Sequence, residues 1–174
     1  MMVITNGSTQ EPDIRSMIIT TEKSMLKKKM LEACIAKQQS LIDDFKSRSK
    51  TLLESIGLGN EEQCDNIELS PKAQASDEVN SLNEALGLAN EEMDVLQYLK
   101  SLQEKKHTQV EPGAVVVTNK NTFFISVSIE QFIVDGETDI GLSTKSPLYL
   151  AMKGLTKGHK FHCNGVNYKI TDIF

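Results

Sequence analysis

The chain has 174 residues, a formal net charge of −5, 39% hydrophobic residues and no Trp, which bounds it to one or two small domains with a modest core. No apolar run approaches the ~18 residues that span a membrane. The three cysteines, Cys34, Cys64 and Cys163, are far apart and form no CxxC pair, which argues against a disulfide framework or a zinc knuckle and for a reduced, cytoplasmic setting.

The charge is unevenly placed. Between residues 57 and 95 stand ten acidic residues (Glu61, Glu62, Asp65, Glu68, Asp77, Glu78, Glu84, Glu91, Glu92 and Asp94) against Lys72 alone. A segment of that sign does not attract nucleic-acid phosphates. It suits a solvated helix face, a basic channel or a metal ion.

Residues 1–20 read as a flexible leader, with the turn formers Asn6, Gly7 and Pro12 near its start. Met17-Ile18-Ile19 is too short for a signal-peptide core, and acidic residues precede it. Residues 21–56 contain neither Gly nor Pro. Leu26, Met30, Ala33, Leu41, Phe45, Leu52 and Ile56 recur at helical spacing, with a weak patch at Lys37 and Ser40. Such a helix is roughly 50 Å long. Gly57-Leu58-Gly59 ends it.

A polar tip, residues 57–74, leads to a second helix over residues 75–104. Ala75, Val79, Leu82, Leu86, Ala89, Met93 and Leu96 make a heptad stripe there. Two long helices with apolar stripes and one connection fold back on each other, because neither stripe can stay in water. The expectation is an antiparallel coiled-coil hairpin over residues 21–104. Helices that pair with another chain are the competing reading.

Residues 105–112 read as a linker. Strands are expected at 113–117, 123–127 and 132–134, the last closed by Asp135-Gly136. Ser146 caps a short helix, Pro147 occupies its first turn and Gly154 ends it. Lys160 to Cys163 and Val166 to Ile170 flank Asn164-Gly165, a strong hairpin signal. The fold class is thus α+β, with a helical hairpin before a small antiparallel sheet plus helix over residues 113–174.

Ser146-Pro147, Gly154, Gly158 and the hairpin closing on Tyr168-Lys169-Ile170 resemble the C-terminal domain of the Gre transcript-cleavage factors. The resemblance covers most of the chain in architecture and residues 113–174 in motif. It departs at His159, where the family usually carries an acidic residue. It implies an FKBP-like C-terminal domain that binds RNA polymerase at the rim of its secondary channel, and an N-terminal coiled coil that passes down the channel.

It further implies that a tip pair of the Asp-x-x-Glu type, here Asp65 and Glu68, helps hold a Mg²⁺ ion shared with the polymerase and a water that cleaves backtracked RNA. Glu61 and Glu62 shape the field around the pair. Residues three apart share a side in helical geometry, and Mg²⁺ at nucleic-acid sites takes few protein carboxylates. Here Leu69-Ser70-Pro71 follows the pair, where the family usually has an Asn and then Glu-Tyr. Two readings stay open for the tip: a cleavage-promoting one, and an acidic loop on a relative that only occupies the channel. In either, the chain is a monomeric regulator rather than an independent enzyme. It has no cofactor of its own and no membrane partner, and it meets nucleic acid only through the polymerase. An adaptor or dimerisation protein is the alternative from another class.

Other chemistry is weakly signalled. His159, His162 and Cys163 suggest a metal, but positions 159 and 162 face opposite sides of a strand. No GxSxG elbow, Walker loop or Rossmann glycine pattern is present. Prolyl isomerase activity would rest on fold analogy alone.

Overall fold

The computed structural model describes residues 14–58 and 71–174. Helix α1 runs Ile14–Leu58 and α2 runs Pro71–Ser101; they are followed by β1 (Val115–Thr118), β2 (Thr122–Ser126), β3 (Ile129–Val134), β4 (Glu137–Ser143), α3 (Pro147–Met152), β5 (Lys160–Cys163) and β6 (Val166–Ile173). At 1.5 Å per residue, the 45 residues of α1 span about 68 Å and the 31 of α2 about 47 Å. Helix α1 therefore starts at Ile14 rather than at residue 21, inside the expected leader. Helix α2 takes Pro71 as its first residue, where a missing amide donor is harmless.

The two helices run antiparallel. Lys27 Nζ donates to Lys105 O just past the end of α2, and Gln38 Nε2 donates to Ala89 O at 2.9 Å and to Glu92 Oε2 at 3.2 Å. Of the expected α2 stripe, Val79, Leu82, Ala89 and Leu96 are buried, while Ala75, Leu86 and Met93 are half-buried. In α1 the buried face is shifted. Ile42 is buried whereas Leu41 is exposed, and the weak patch is closed by Gln38, whose amide reaches across the seam. Lys27, Gln38 and Ser49 are buried polar residues three helical turns apart on that face.

The sheet has six strands in the order β3-β4-β2-β1-β6-β5. It is mixed, not antiparallel as expected, because β2 and β4 pair in parallel from Thr122↔Asp139 to Ser126↔Ser143. β4 itself was not expected: its Thr138, Asp139 and Gly141 break the apolar alternation that marks a strand. The chain leaves β2, crosses the end of β4, descends as the edge strand β3 and returns through Asp135-Gly136 into the space between them. Asp135 (φ 52°) and Gly136 (φ 87°) are both left-handed, as a tight hairpin turn of this hand needs, and so are Asn164 and Gly165 between β5 and β6. Gly141 lies under the crossing. A Cβ there would stand 2.8 Å from Ile129 Cβ and 3.1 Å from Val127 O.

Both faces of the sheet are covered. Val115, Phe124, Val127, Ile129, Phe132 and Val134 form one core with Met30, Leu31 and Cys34 of α1 and Leu96 and Leu99 of α2. Val116, Phe123, Ile125, Leu142, Ile170 and Ile173 form a second with Tyr149 and Met152 of α3. Adjacent residues of β1 and β2 thus point into different cores, which is why Val115-Val116 and Phe123-Phe124-Ile125 are continuous apolar runs. Residues 105–112, expected as a linker, are stitched to the sheet layer. Val110 N donates to Leu155 O, Gly154 N donates to Val110 O, and His107 and Val110 are buried.

α3 forms for the local reasons its sequence carries. Ser146 sits in extended backbone and its Oγ accepts from Tyr149 N at 3.1 Å, Pro147 follows, and Gly154 turns at φ 74°. Among the described residues no helix is long and apolar enough to cross a membrane.

Candidate functional site

Asp65 and Glu68, with Glu61 and Glu62, lie outside the described residues. What is described is the pair of helices on which they are mounted. Beyond Gln38 the buried residues of α1, Ile42 and Ser49, belong to neither sheet core, and the same holds for Val79 and Leu82 of α2. In sequence the tip segment joins the end of α1 to the start of α2, away from the residues that form those cores.

The other sequence candidates separate. His159 Nδ1 meets Thr156 Oγ1 at 2.9 Å, and His162 Nδ1 meets Asn167 Oδ1 at 2.8 Å across the β5–β6 hairpin. Cys163 and Cys34 are buried free thiols. Burial pushes the Cys34 thiol up to about 12, which leaves it an inert core side chain. Among the described residues no group of three His, Cys, Asp or Glu side chains is placed to hold a metal ion.

The side chains that the structure does bring together lie at the opposite end, where the start of α1, the end of α2 and the chain after β6 meet. They border a cavity of about 530 Å³. Lys27 lines it and is only 4% exposed. Its ammonium donates to Lys105 O at 2.8 Å. Burial first, and then the Lys105 charge, lower its pKa to about 8, against the opposing pull of Glu104 and Glu111.

Beside it, Glu111 Oε1 takes a hydrogen bond from His107 Nδ1 at 2.7 Å and an ion pair from Lys105 at 3.0 Å. A carboxylate only accepts, so Nδ1 carries the hydrogen. Lys105 and then His107 hold the Glu111 carboxyl below its usual range, while burial lowers His107 despite that hydrogen bond. Next to the lining residue Ile173, Asp172 gathers Lys23 at 2.5 Å and Lys157 at 3.3 Å. Burial pushes its carboxyl up, but the two lysines outweigh it and the net direction is down. Lys23 Nζ also stands 5.4 Å from the centroid of the Phe174 ring.

Sequence reasoning missed this cluster. Lys27 stands in Lys27-Lys28-Lys29, which reads as a solvated face, and His107 and Glu111 stand in a segment that reads as a linker. The available signal was spacing: Lys27 falls four residues before Leu31 and seven before Cys34, both buried, one position along from Leu26, Met30 and Ala33. No family model matches this chain, nor does any curated protein or solved structure.

Proposed function

We propose that this chain is a Gre-type regulator of transcription elongation: an RNA polymerase-binding protein whose FKBP-like module, residues 113–174, docks at the channel rim while an antiparallel coiled-coil hairpin enters the secondary channel. The observation that carries the reading is the helix pair. Among the described residues its distal half, beyond Gln38, contributes nothing to the sheet cores, and in sequence its far end carries the acidic segment with Asp65 and Glu68. The capped α3 supports it too, since Ser146, Pro147 and Gly154 are the residues that resemble the Gre motif. The buried free thiols Cys34 and Cys163 fit a reduced cytoplasm.

In this reading the protein is not an independent enzyme. Asp65 and Glu68 supply carboxylate oxygens to a Mg²⁺ that the polymerase largely owns, and two such ligands alone bind Mg²⁺ weakly. The deciding experiment is capture of core RNA polymerase by the full chain, followed by cleavage in a stalled, backtracked complex. Binding together with cleavage that is lost in Asp65→Asn/Glu68→Gln is the expected result. Binding without cleavage leaves a channel-occupying regulator.

A second reading has its own observation. Ile14, Met17, Ile18 and Ile19 at the start of α1 are exposed, which favours an adaptor whose helix pairs with another chain. No polymerase capture at micromolar concentration, with dimers in solution, would establish that reading instead.

A further inference from the structure

We propose that the cavity where α1, the end of α2 and the chain after β6 meet is a binding site for a small organic anion, a phosphate or carboxylate carried on a compact apolar body, with the ammonium of Lys27 as its anchor. The site is independent of the polymerase reading and is tested on the protein alone. Its volume, about 530 Å³, lies in the range of small-molecule sites.

Its walls have two characters. Met25, Ile173 and Phe174 offer apolar surface, while Ser24 offers a hydroxyl one turn before Lys27 and Thr20 another one turn further back, its hydrogen held by Ser16 O. Burying an ammonium is costly unless a counter-charge and further hydrogen bonds compensate it. Lys27 has one described hydrogen bond, to a neutral carbonyl, and three N–H donors. It takes part in none of the described ion pairs. Lys105, the neighbouring cation, is held by Glu111, and Lys23 by Asp172.

The charges that face Lys27 are Lys105, Glu104 and Glu111, and Lys27 in turn depresses His107. Glu111 is already paired with Lys105 and His107, Glu104 is exposed, and among the described residues Lys27 is a buried cation in no ion pair. Lys106 adds a second positive charge to the lining against Glu104. An incoming anion would complete the ammonium's hydrogen bonds, and its apolar body would lie against Ile173 and Phe174. A neutral isostere gains only the apolar contact, and a bare inorganic anion only the polar one.

The test is calorimetric titration of the full chain with phenyl phosphate, benzoate, benzyl alcohol and inorganic phosphate. Saturable one-to-one binding is expected for phenyl phosphate or benzoate, with at least tenfold weaker binding of benzyl alcohol and of inorganic phosphate. Affinity should fall as pH rises through about 8, where Lys27 loses its proton. Lys27→Met should weaken the preferred anion at least tenfold and Lys27→Arg should retain most of its affinity. In the unaltered protein, the bound anion should slow reductive methylation of Lys27 relative to Lys28. Equal binding by Lys27→Met, undiminished methylation of Lys27 at saturation, or no saturable binding of either aromatic anion would overturn the proposal.

Discussion

Asp139 shows how a single residue can carry a pH dependence that the surrounding fold created. It is 5% exposed, on β4 between β2 and β3, next to the core that α1 closes. Burial, reinforced by the Glu137 charge, pushes its carboxyl up to about 6 from 3.8. The native state therefore binds this proton more tightly than the unfolded chain does. Ionisation costs native stability as pH rises from about 4 to about 6, and the full penalty is present above that window. Asp139→Asn should stabilise the protein at pH 8 by on the order of 2 kcal/mol and give no such gain near pH 3, where both states are protonated. Denaturant unfolding at the two pH values measures this, and an equal effect at both would remove ionisation as the cause.

At the scale of elements, the unusual step is the insertion of β4 between β2 and β3. Parallel neighbours need a crossover, and here β3 itself, with the short turn at Val127, supplies it. Ile129 N donates to Val127 O at 3.0 Å as the chain bends across Gly141. The contact is against backbone as well as the Ile129 side chain, so a methyl group at Gly141 has no flexible neighbour to displace. Gly141→Ala should lower stability by about 1–3 kcal/mol, read as a reduced denaturant midpoint. A wild-type midpoint would show that the crossing has slack. The α1–α2 seam makes a different use of polarity: Gln38 bonds to Ala89 O and Glu92, and a polar group at one seam position can set register at some expense in stability.

For the whole molecule, the proximal halves of α1 and α2 and the sheet share one interior. Met30 is fully buried in a cluster that also contains Leu96, Phe124 and Phe132, from four different elements. Met30→Ala should cost about 2–5 kcal/mol. Because the cluster spans helices and sheet, helical circular dichroism and hydrogen exchange of the β2 amides should lose stability together. If the β2 amides kept their native protection while the helical signal melted early, the helix pair and the sheet would be separate folding units. The proximal half of the helix pair is held by this shared core, to which the described residues of its distal half do not contribute.

The sequence by itself determined what depends on neighbours a few residues away. The α2 heptads, the Ser146 cap with Pro147 and Gly154, and the Asn164-Gly165 turn are short-range steric and hydrogen-bonding effects, and each was legible before any tertiary contact was known. Helix starts were less so: Ile14 to Thr20 are helical though their apolar side chains are exposed. Tertiary structure alone decided that polar Thr138-Asp139 belongs to a strand, that β4 pairs in parallel with β2, and that the helices and α3 cover opposite faces. Those outcomes depend on partners far along the chain, whose pairing leaves no periodic trace in β4 itself. The same holds for Lys27. Its helical spacing to Leu31 and Cys34 was written in the sequence, but the cavity around it exists only because residues 103–108 and 173–174 are brought to it by the fold.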